Sequence, residues 1–281
     1  MNKKIFAISD IHGHYTEAIQ CLKEVGWDEN NPDHLLIVCG DMFDRGEENV
    51  AIFKWLYELT KEEKAVVTRG NHDSMLIDFL EWSNDPFNYC SNGTCTTIDD
   101  FLGRTRAFES WCALDKECEP TIGAFAEFAV ESRREINKEY PDLLPWLNSL
   151  PWYYETEKYI FTHGAIDTQA INWREPHCGI YNKVDWDALT WDDGSFLGKR
   201  MYNTDGKAVV VGHFHTYHLR HKYNYSTVTN PASDEADHSI LDINDETLGH
   251  KIFIDGCTPL TKKVNVLVIE DKILEERKGG N

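Results

Sequence analysis

Five short apolar segments that each end in a polar motif constrain the fold of this chain most strongly. Each segment has the length and composition of a buried β-strand. Asp, Asn or His beside glycine follows at once. Because open α/β sheets bind ligands at the carboxyl ends of their strands, we expect the five motifs to meet at one rim. The motifs are Asp10-Ile11-His12-Gly13, Gly40-Asp41 to Gly46, Gly70-Asn71-His72-Asp73, His163-Gly164 and Gly212-His213-Phe214-His215.

The second motif shows this pattern most clearly. An apolar run over 35–39 breaks at Gly40 into two carboxylates and an arginine. Glycines at 40 and 46 permit the unusual φ angles of a tight turn. Asp41 has two oxygens and could bridge two cations, which leaves Asp44 and Arg45 to face whatever the cations bind.

The polar residues at the strand ends form a ligand set of oxygen and imidazole without thiolate. Such donors suit Mn, Fe or Zn better than an iron–sulfur cluster. Two cations that share a carboxylate and generate a hydroxide form a common hydrolytic site. The candidate metal ligands are Asp10, His12, Asp41, Asn71, His163 and His213.

In this order, the five motifs resemble the calcineurin-like metallophosphoesterase superfamily. The runs Asp44-Arg45-Gly46 and Arg69-Gly70-Asn71-His72 are similar to its phosphoprotein-phosphatase branch, which includes small bacterial and phage-type enzymes. The resemblance covers roughly residues 3–80, 150–165 and 205–270, but neither 81–150 nor 216–250. It implies an α/β fold in which a layered, mixed β-sheet sandwich is flanked by helices.

Each candidate metal ligand has a predicted role. Asp10 and His12 point to the same side of an extended backbone and can share one cation. Asp41 would be the bridge. The second cation would be held by Asn71, His163 and His213.

The remaining motif residues are predicted to act on the substrate. Arg45 and Arg69 would clamp phosphoryl oxygens, because a planar guanidinium binds them in a bidentate manner. His72 would donate a proton to the leaving alcohol, and Asp44 would orient its imidazole. A local Asp44–Arg45 salt bridge and a helix-capping role for His72 are the alternatives.

Three positions depart from the phosphatase branch. His215 forms a His-x-His pair, which the wider superfamily uses on its cations and this branch usually lacks; we predict an additional ligand to the Asp10–His12 metal. Asp73 stands where the branch more often has glutamate. The branch has a further arginine late in the chain, and Arg200 is nearest in position, although its context does not match.

The chain reads as one domain over 1–281 with two irregular additions. Residues 1–82 alternate β-α-β-α-β. A loop over 83–98 and helical patterns over 99–114 and 122–140 indicate a helical insertion at 83–148, either a lateral buttress or, as we predict, a cap over the rim. Residues 216–250 are predicted to form a long acidic loop.

Composition excludes several partner classes. With 28 basic and 48 acidic residues, the net charge is −20, so the general surface repels nucleic acid and anionic membranes. No segment approaches the roughly 18 apolar residues of a membrane span, and the amino terminus reads as a first strand, which predicts a cytoplasmic protein. The eight cysteines lack C-x-x-C spacing and are predicted to be free thiols rather than a zinc cluster.

These features predict a metal-dependent phosphoesterase that hydrolyses phosphomonoesters of proteins or small molecules, with two divalent ions, Mn foremost and Fe or Zn as alternatives. Cleavage of a dinucleoside polyphosphate or a phosphodiester is the second hypothesis, because the same rim accepts either substrate. A metal-free binding scaffold is the third. Such a scaffold should have lost ligands, whereas all six are present here.

Overall fold

The computed structural model describes residues 2–83, 86–103, 122–166, 173–174, 189–192, 195–200, 202, 204–223, 233 and 236–278. The strands are β1 (Asn2–Ile8), β2 (His34–Cys39), β3 (Ala65–Thr68), β4 (Tyr153–Thr156), β5 (Tyr159–Thr162), β6 (Ala208–Val211), β7 (Leu241–Asp245), β8 (Gly249–Phe253) and β9 (Leu267–Lys278). The helices are α1 (Tyr15–Glu24), α2 (Asn49–Lys61), α3 (Asn71–Glu81), α4 (Pro86–Ser91), α5 (Thr94–Phe101), α6 (Ile122–Glu139), α7 (Leu143–Ser149), α8 (Thr216–Lys222) and α9 (Thr258–Thr261), with a 3-10 turn at Ser195–Gly198.

The strands follow the order β3-β2-β1-β9-β4-β5-β6-β8-β7 in one hydrogen-bonded ladder. The long strand β9 joins its two halves, because its first part pairs antiparallel with β1 and its later part with β4. Apolar side chains of both halves, such as Ile37 of β2 and Val210 of β6, share one buried cluster. The halves therefore pack face to face, which confirms the predicted mixed-sheet sandwich.

Helices cover the outer face of the first half. Phe6 and Val38 pack with residues of α1, α2 and α3 on that side, whereas Ile5 and Ile37 point into the sandwich. Because parallel strands between two layers are buried on both faces, β2 is a continuous apolar run rather than an alternating one.

The strand ends meet as the motifs predict. β1, β2 and β3 are parallel, and so are β5 and β6 in the other half. Their registers align the last strand residues, with Cys39 opposite Thr68 and Thr162 opposite Val211. The Nδ1 atom of His163 donates to the carbonyl oxygen of Cys39 at 2.9 Å and so ties the two halves together at the rim.

The insertion is more helical than the sequence suggested. The loop predicted over 83–98 is wrong, since α4 and most of α5 lie there. Polar composition hid a helical spacing of buried residues, namely Thr94, Thr97, Ile98 and Phe101. Helix α6 and the short α7 follow. Most of the helix predicted over 99–114 lies outside the described residues.

The long loop predicted over 216–250 is also wrong for part of its length. Helix α8 begins directly after His215, and β7 pairs antiparallel with β8. Strand β7 lies at the edge of the ladder and exposes most of its residues, so its sequence is polar and reads as a loop. Strand β9 likewise continues to Lys278, into a segment predicted as a charged tail.

Among the described residues, no helix combines the length and the apolar character that crossing a membrane requires.

Candidate active site

The loops at the rim have an unusual backbone. Six residues of the predicted site adopt positive φ angles, although none of them is glycine. Such conformations cost about 1–3 kcal/mol each and persist where the surrounding structure enforces them. They turn each side chain out of its strand and towards a common centre. The residues are Asp10, His12, Asp41, Asp44, Arg45 and His213.

Backbone hydrogen bonds hold the first two loops together. The N–H groups of Asp10, His12 and Gly13 donate to the carbonyl oxygens of residues 40, 41 and 42, at 3.1, 3.1 and 2.9 Å. The third loop approaches equally closely, since a Cβ atom added to Gly70 would lie 2.3 Å from Asp41 Oδ1. Glycine at position 70 therefore allows the third loop to reach the bridging carboxylate.

Asp41 lies between two groups of potential metal ligands. One group is Asp41 with His12 and His72, and the other is Asp41 with His163 and His213. The two carboxylate oxygens face different imidazoles: Oδ2 is 3.7 Å from His12 Nε2, and Oδ1 is 3.3 Å from His163 Nε2. Burial alone would raise the pKa of Asp41, but the surrounding histidines hold this pKa below its ordinary value. The geometry is that of a bridging carboxylate.

Backbone carbonyl groups orient the metal-facing histidines. Nδ1 of His12 donates to the carbonyl oxygen of Phe43 at 2.8 Å, as Nδ1 of His163 does to Cys39. Each Nε2 therefore faces the centre as a lone pair, the arrangement found around protein metal ions.

Burial, with a smaller effect of the nearby His72, lowers the pKa of His12 well below its ordinary value. Burial and His163 lower the pKa of His213 to about 4. Both imidazoles are in the neutral form that binds metals.

The donor atoms around His163 fit a bound cation. Its Nε2 lies 2.9 Å from Asn71 Oδ1 and 3.3 Å from Asp41 Oδ1. Because Nδ1 is bound to the carbonyl oxygen of Cys39, Nε2 is the ring atom that faces these two oxygens, and three potential metal-binding atoms converge there. A divalent ion would satisfy all three, and the oxygen and imidazole donors suit Mn, Fe or Zn.

Asp10 completes this ligand set. Its Oδ1 is 4.0 Å from His12 Nε2, and its Oδ2 accepts the backbone N–H of His213 at 3.0 Å. Burial, then Asp255 and Asp41, raises its pKa well above the ordinary value. Three buried carboxylates this close need positive charge nearby, so all six predicted ligands are gathered where a cation would be stabilised.

His72 and Asp44 form the predicted pair. Nδ1 of His72 donates to Asp44 Oδ2 at 2.7 Å, and both residues are buried. Burial would lower the pKa of His72, but the carboxylates of Asp41 and Asp44 raise it above its ordinary value. Nε2 of His72 is directed towards Asp41 Oδ2, 4.0 Å away.

Arg45 spans the centre. Its Nη1 donates to His12 Nε2 and its Nη2 to His72 Nε2, each at 2.9 Å. A metal ion bound by His12 requires the same lone pair, so metal binding must turn the guanidinium away from His12. Arg45 then remains beside the centre with its donors available to an anion.

The described contacts of two predicted residues are not those that the sequence predicts. Nη2 of Arg69 donates to the carbonyl oxygens of Leu147 and Asn148, each at 3.0 Å, and its guanidinium lies 4.8 Å from the centre of the Trp152 ring. Nε2 of His215 is 3.6 Å from Asp255 Oδ2. The phosphate contact of Arg69 and the metal contact of His215 stay predictions.

The sequence interpretation missed two carboxylates. Asp73 accepts the backbone N–H groups of Gly70, Asp41 and Met42 at 2.8–3.1 Å and so fixes the third loop to the second. Burial, and then Asp41, raises its pKa to about 6. Asp255 is fully buried beside Asp10. It follows an apolar run and precedes glycine, the same signal that identified the other ligands.

The two groups that share the Asp41 carboxylate could each hold a metal ion. The chain belongs to the calcineurin-like phosphoesterase family, whose model matches residues 3–236.

Curated relatives of different activity are similar to parts of the chain. A bis(5'-nucleosyl)-tetraphosphatase PrpE from a Geobacillus species is 33% identical over 104 residues, which are 35% of this chain and 41% of the relative. A serine/threonine-protein phosphatase 2 from Salmonella typhimurium is 32% identical over 92 residues, 32% of this chain and 39% of the relative. The chain thus spans less than half the length of each.

Among solved structures, a cold-active protein-tyrosine phosphatase from a psychrophilic Shewanella species matches with a TM-score of 0.48 and 15% identity. The match covers 95% of this chain and 75% of that protein.

Proposed function

We propose that the protein is a dinuclear metal-dependent phosphoesterase that hydrolyses phosphomonoesters of proteins or small molecules. The observation that carries the proposal is Asp41, whose Oδ2 faces His12 at 3.7 Å while its Oδ1 faces His163 at 3.3 Å. Asp10, His12 and Asp41 would hold one cation, and Asp41, Asn71, His163 and His213 the other. When bound, the pair would polarise phosphoryl oxygens and lower the pKa of a water molecule. Mn is the ion that we propose foremost, with Fe or Zn as alternatives, and the oxygen and imidazole donors suit all three.

The protein's own side chains account for substrate binding and proton transfer. Arg45 is within reach of the centre and would hold phosphoryl oxygens, and Arg69 is a second candidate for that contact. Asp44 fixes Nδ1 of His72, so Nε2 is the atom left to deliver a proton to the leaving oxygen. Nε2 accepts from Arg45 in the structure, so Arg45 must first turn to the phosphate and Nε2 must take up a proton from solvent before it can deliver one.

A dinucleoside polyphosphate is the second candidate substrate. The Geobacillus relative is named for cleaving one, and the Salmonella relative is named as a protein phosphatase. The pair of His72 and Asp44 supports a phosphomonoester substrate. An alkyl alcohol is a poor leaving group without a proton, whereas a nucleotide phosphate has less need of one.

We also propose a reducing, cytoplasmic setting. Five described cysteines are free thiols, which supports it: Cys21, Cys39, Cys90, Cys95 and Cys257.

A substrate panel on the metal-reconstituted protein tests the proposal. The substrates are p-nitrophenyl phosphate, its bis-ester, a phosphoserine peptide and diadenosine tetraphosphate. We expect the highest kcat/KM on the monoesters, with activity lost on chelation and restored by Mn²⁺. A preference for the tetraphosphate or the bis-ester would replace the monoester assignment. Inactivity on all four substrates at full metal loading would overturn the phosphoesterase proposal.

A further inference from the structure

We propose that Thr97 and Thr94, on helix α5 of the insertion, are positioning residues that hold the Asp44 carboxylate for His72. The inference rests on the proposed function, because it assigns these hydroxyl groups to the same proton-transfer pair. It gives residues 94–101 a part in the catalytic apparatus, in addition to any role of the insertion as a cap.

The hydroxyl group of Thr97 contacts Asp44 twice. Its Oγ1 accepts the backbone N–H of Asp44 at 2.8 Å and donates to Asp44 Oδ1 at 2.6 Å. Because an N–H cannot accept, the hydroxyl proton goes to a neighbouring oxygen, and Asp44 Oδ1 is nearer than the alternative acceptor, Asn49 Oδ1 at 3.3 Å. Asn49 Oδ1 also accepts the backbone N–H of Asp44, at 3.1 Å. Thr97 and Asp44 are both fully buried, so the hydroxyl group of Thr97 is a buried donor to the carboxylate and a second acceptor for the backbone of Asp44.

Thr94 acts on the other carboxylate oxygen. Its Oγ1 donates to Asp44 Oδ2 at 3.1 Å, and His72 Nδ1 donates to that same oxygen at 2.7 Å. Residues three apart lie on one face of a helix, so α5 presents both hydroxyl groups to Asp44. With Oδ1 held by Thr97, the carboxylate cannot rotate, and Oδ2 stays directed at the imidazole.

The start of α5 is fitted to the strained turn that carries Asp44. The carbonyl oxygen of Gly93 accepts the backbone N–H of Arg45 at 3.3 Å. A Cβ atom at Gly93, where φ is +91°, would lie 2.9 Å from Arg45 Cγ. Asp44 and Arg45 themselves have φ angles of +74° and +70°. The strained turn and the start of α5 are thus fitted closely to each other. This fit supports a positioning role for the two threonine residues rather than an incidental contact with Asp44.

Helix α5 is in turn anchored to the body of the fold. The carboxylate of Asp100 accepts the backbone N–H of Val50, in the first turn of α2, at 2.8 Å. Ile98 and Phe101 are buried in the same cluster as Phe53 of α2. This packing makes α5 a rigid support for the two hydroxyl groups.

The variant Thr97→Val tests the inference, because it keeps the shape of the side chain and removes the hydroxyl group. Thr97→Ser restores the hydroxyl group. Thr96→Val is the matched control, since the hydroxyl group of Thr96 bonds only the carbonyl oxygen of Gly93 within the described contacts.

Loss of a supporting contact such as that of Thr97 typically costs about 10–100-fold in activity. We expect that loss in kcat of Thr97→Val on a phosphoserine peptide, a smaller loss on p-nitrophenyl phosphate, and an unchanged KM and metal content. Thr97→Ser and Thr96→Val should stay within about threefold of the unaltered protein, well below that range.

A spectroscopic readout separates the inference from the proposed function. The Nδ1–H of His72, bound to a buried carboxylate, should give a downfield proton resonance in NMR spectra of the protein loaded with diamagnetic Zn²⁺, absent in His72→Asn. We expect this resonance to shift or broaden in Thr97→Val and to be restored in Thr97→Ser. A shifted resonance in a protein without phosphatase activity would keep the positioning role and reject the function.

An unchanged resonance together with an unchanged kcat in Thr97→Val would overturn the inference. If Thr97→Val does not fold, Thr94→Val carries the test. It removes one donor from Oδ2 and leaves Oδ1 bound, so we expect the same leaving-group bias in weaker form. Kinetics and a resonance identical to those of the unaltered protein would then overturn the inference.

Discussion

At the scale of single residues, the proposed proton transfer depends on the Nε2 atom of His72. The imidazole is fixed on one side by Asp44 Oδ2 at 2.7 Å and lies on the other side 4.0 Å from Asp41 Oδ2. His72 therefore lies beside the candidate metal centre, but it does not take the place of the predicted metal ligands Asn71 and His163. A group placed in this way can donate a proton to an oxygen that leaves the phosphorus atom.

We predict that His72→Asn lowers kcat according to how strongly the leaving group needs a proton. General acid catalysis contributes about 10²–10⁴-fold, so the loss on a phosphoserine peptide should approach that range. The loss on p-nitrophenyl phosphate should be much smaller, since p-nitrophenolate leaves readily as an anion. Steady-state kinetics on both substrates, with metal content measured in parallel, provide the check.

The exposed pair of His250 and Asp242 offers a control for this variant. His250→Asn should leave both activities unchanged. An equal loss on the two substrates in His72→Asn, with metals retained, would show that His72 acts on binding or on the nucleophile.

Residues of the site could be predicted where the signal lies next to a strand. Asp10, Asp41 and His163 each follow an apolar run, and strand order then brings them together. Asp73 was visible only as a departure from glutamate, because its partners are backbone N–H groups that no motif records. Thr97 could not be recognised, since its role arises from a contact 53 residues distant in sequence.

At the scale of elements, strand β8 carries an unusual residue. Lys251 is fully buried, and its Nζ donates to the carbonyl oxygens of Leu197 and Lys199, at the end of the 3-10 turn. Burial lowers its pKa from 10.5 to about 8. The folded protein therefore releases this proton more readily than the unfolded chain.

We predict that this lysine makes folding stability depend on alkaline pH. The unfolded chain binds the proton more tightly, so the free energy of unfolding should rise by about 3 kcal/mol from pH 8 to 10.5, relative to Lys251→Met. When the pH is lowered, this stabilisation is lost between 10.5 and the folded pKa of about 8, below which both states hold the proton. Urea unfolding at several pH values measures this difference, with exposed Lys23→Met as the control. Parallel stability curves for the unaltered protein and Lys251→Met would refute it.

Elements with strong apolar patterns were predictable, and polar ones were not. The parallel strands β1, β2 and β3 were predicted from apolar runs such as the one over 35–39. Helix α5 was missed because two of its four buried residues are threonines, and strand β7 was missed because only Leu241 is buried among its polar residues. Tertiary packing, and not local propensity, decides such segments.

At the scale of the whole molecule, the negative net charge of the protein disfavours the approach of a phosphate ester to the candidate site. The chain carries a net charge of −20, and its candidate site adds the buried carboxylates of Asp10, Asp41 and Asp255. A phosphate ester is repelled by such a field at long range. Bound cations reverse the local sign, and Arg45 adds one positive charge at the centre. Under the proposed function, metal binding would therefore serve both the chemistry and the admission of the substrate.

Anomalous scattering from crystals of the Mn²⁺-loaded protein tests the central claim, a metal pair bridged by Asp41, most directly. We predict two peaks about 3.5–4 Å apart, one on each side of the Asp41 carboxylate, and loss of the pair in Asp41→Asn, whose amide keeps the shape but lacks the bridging charge. A single peak, or peaks remote from Asp41, in a fully loaded crystal would contradict the account.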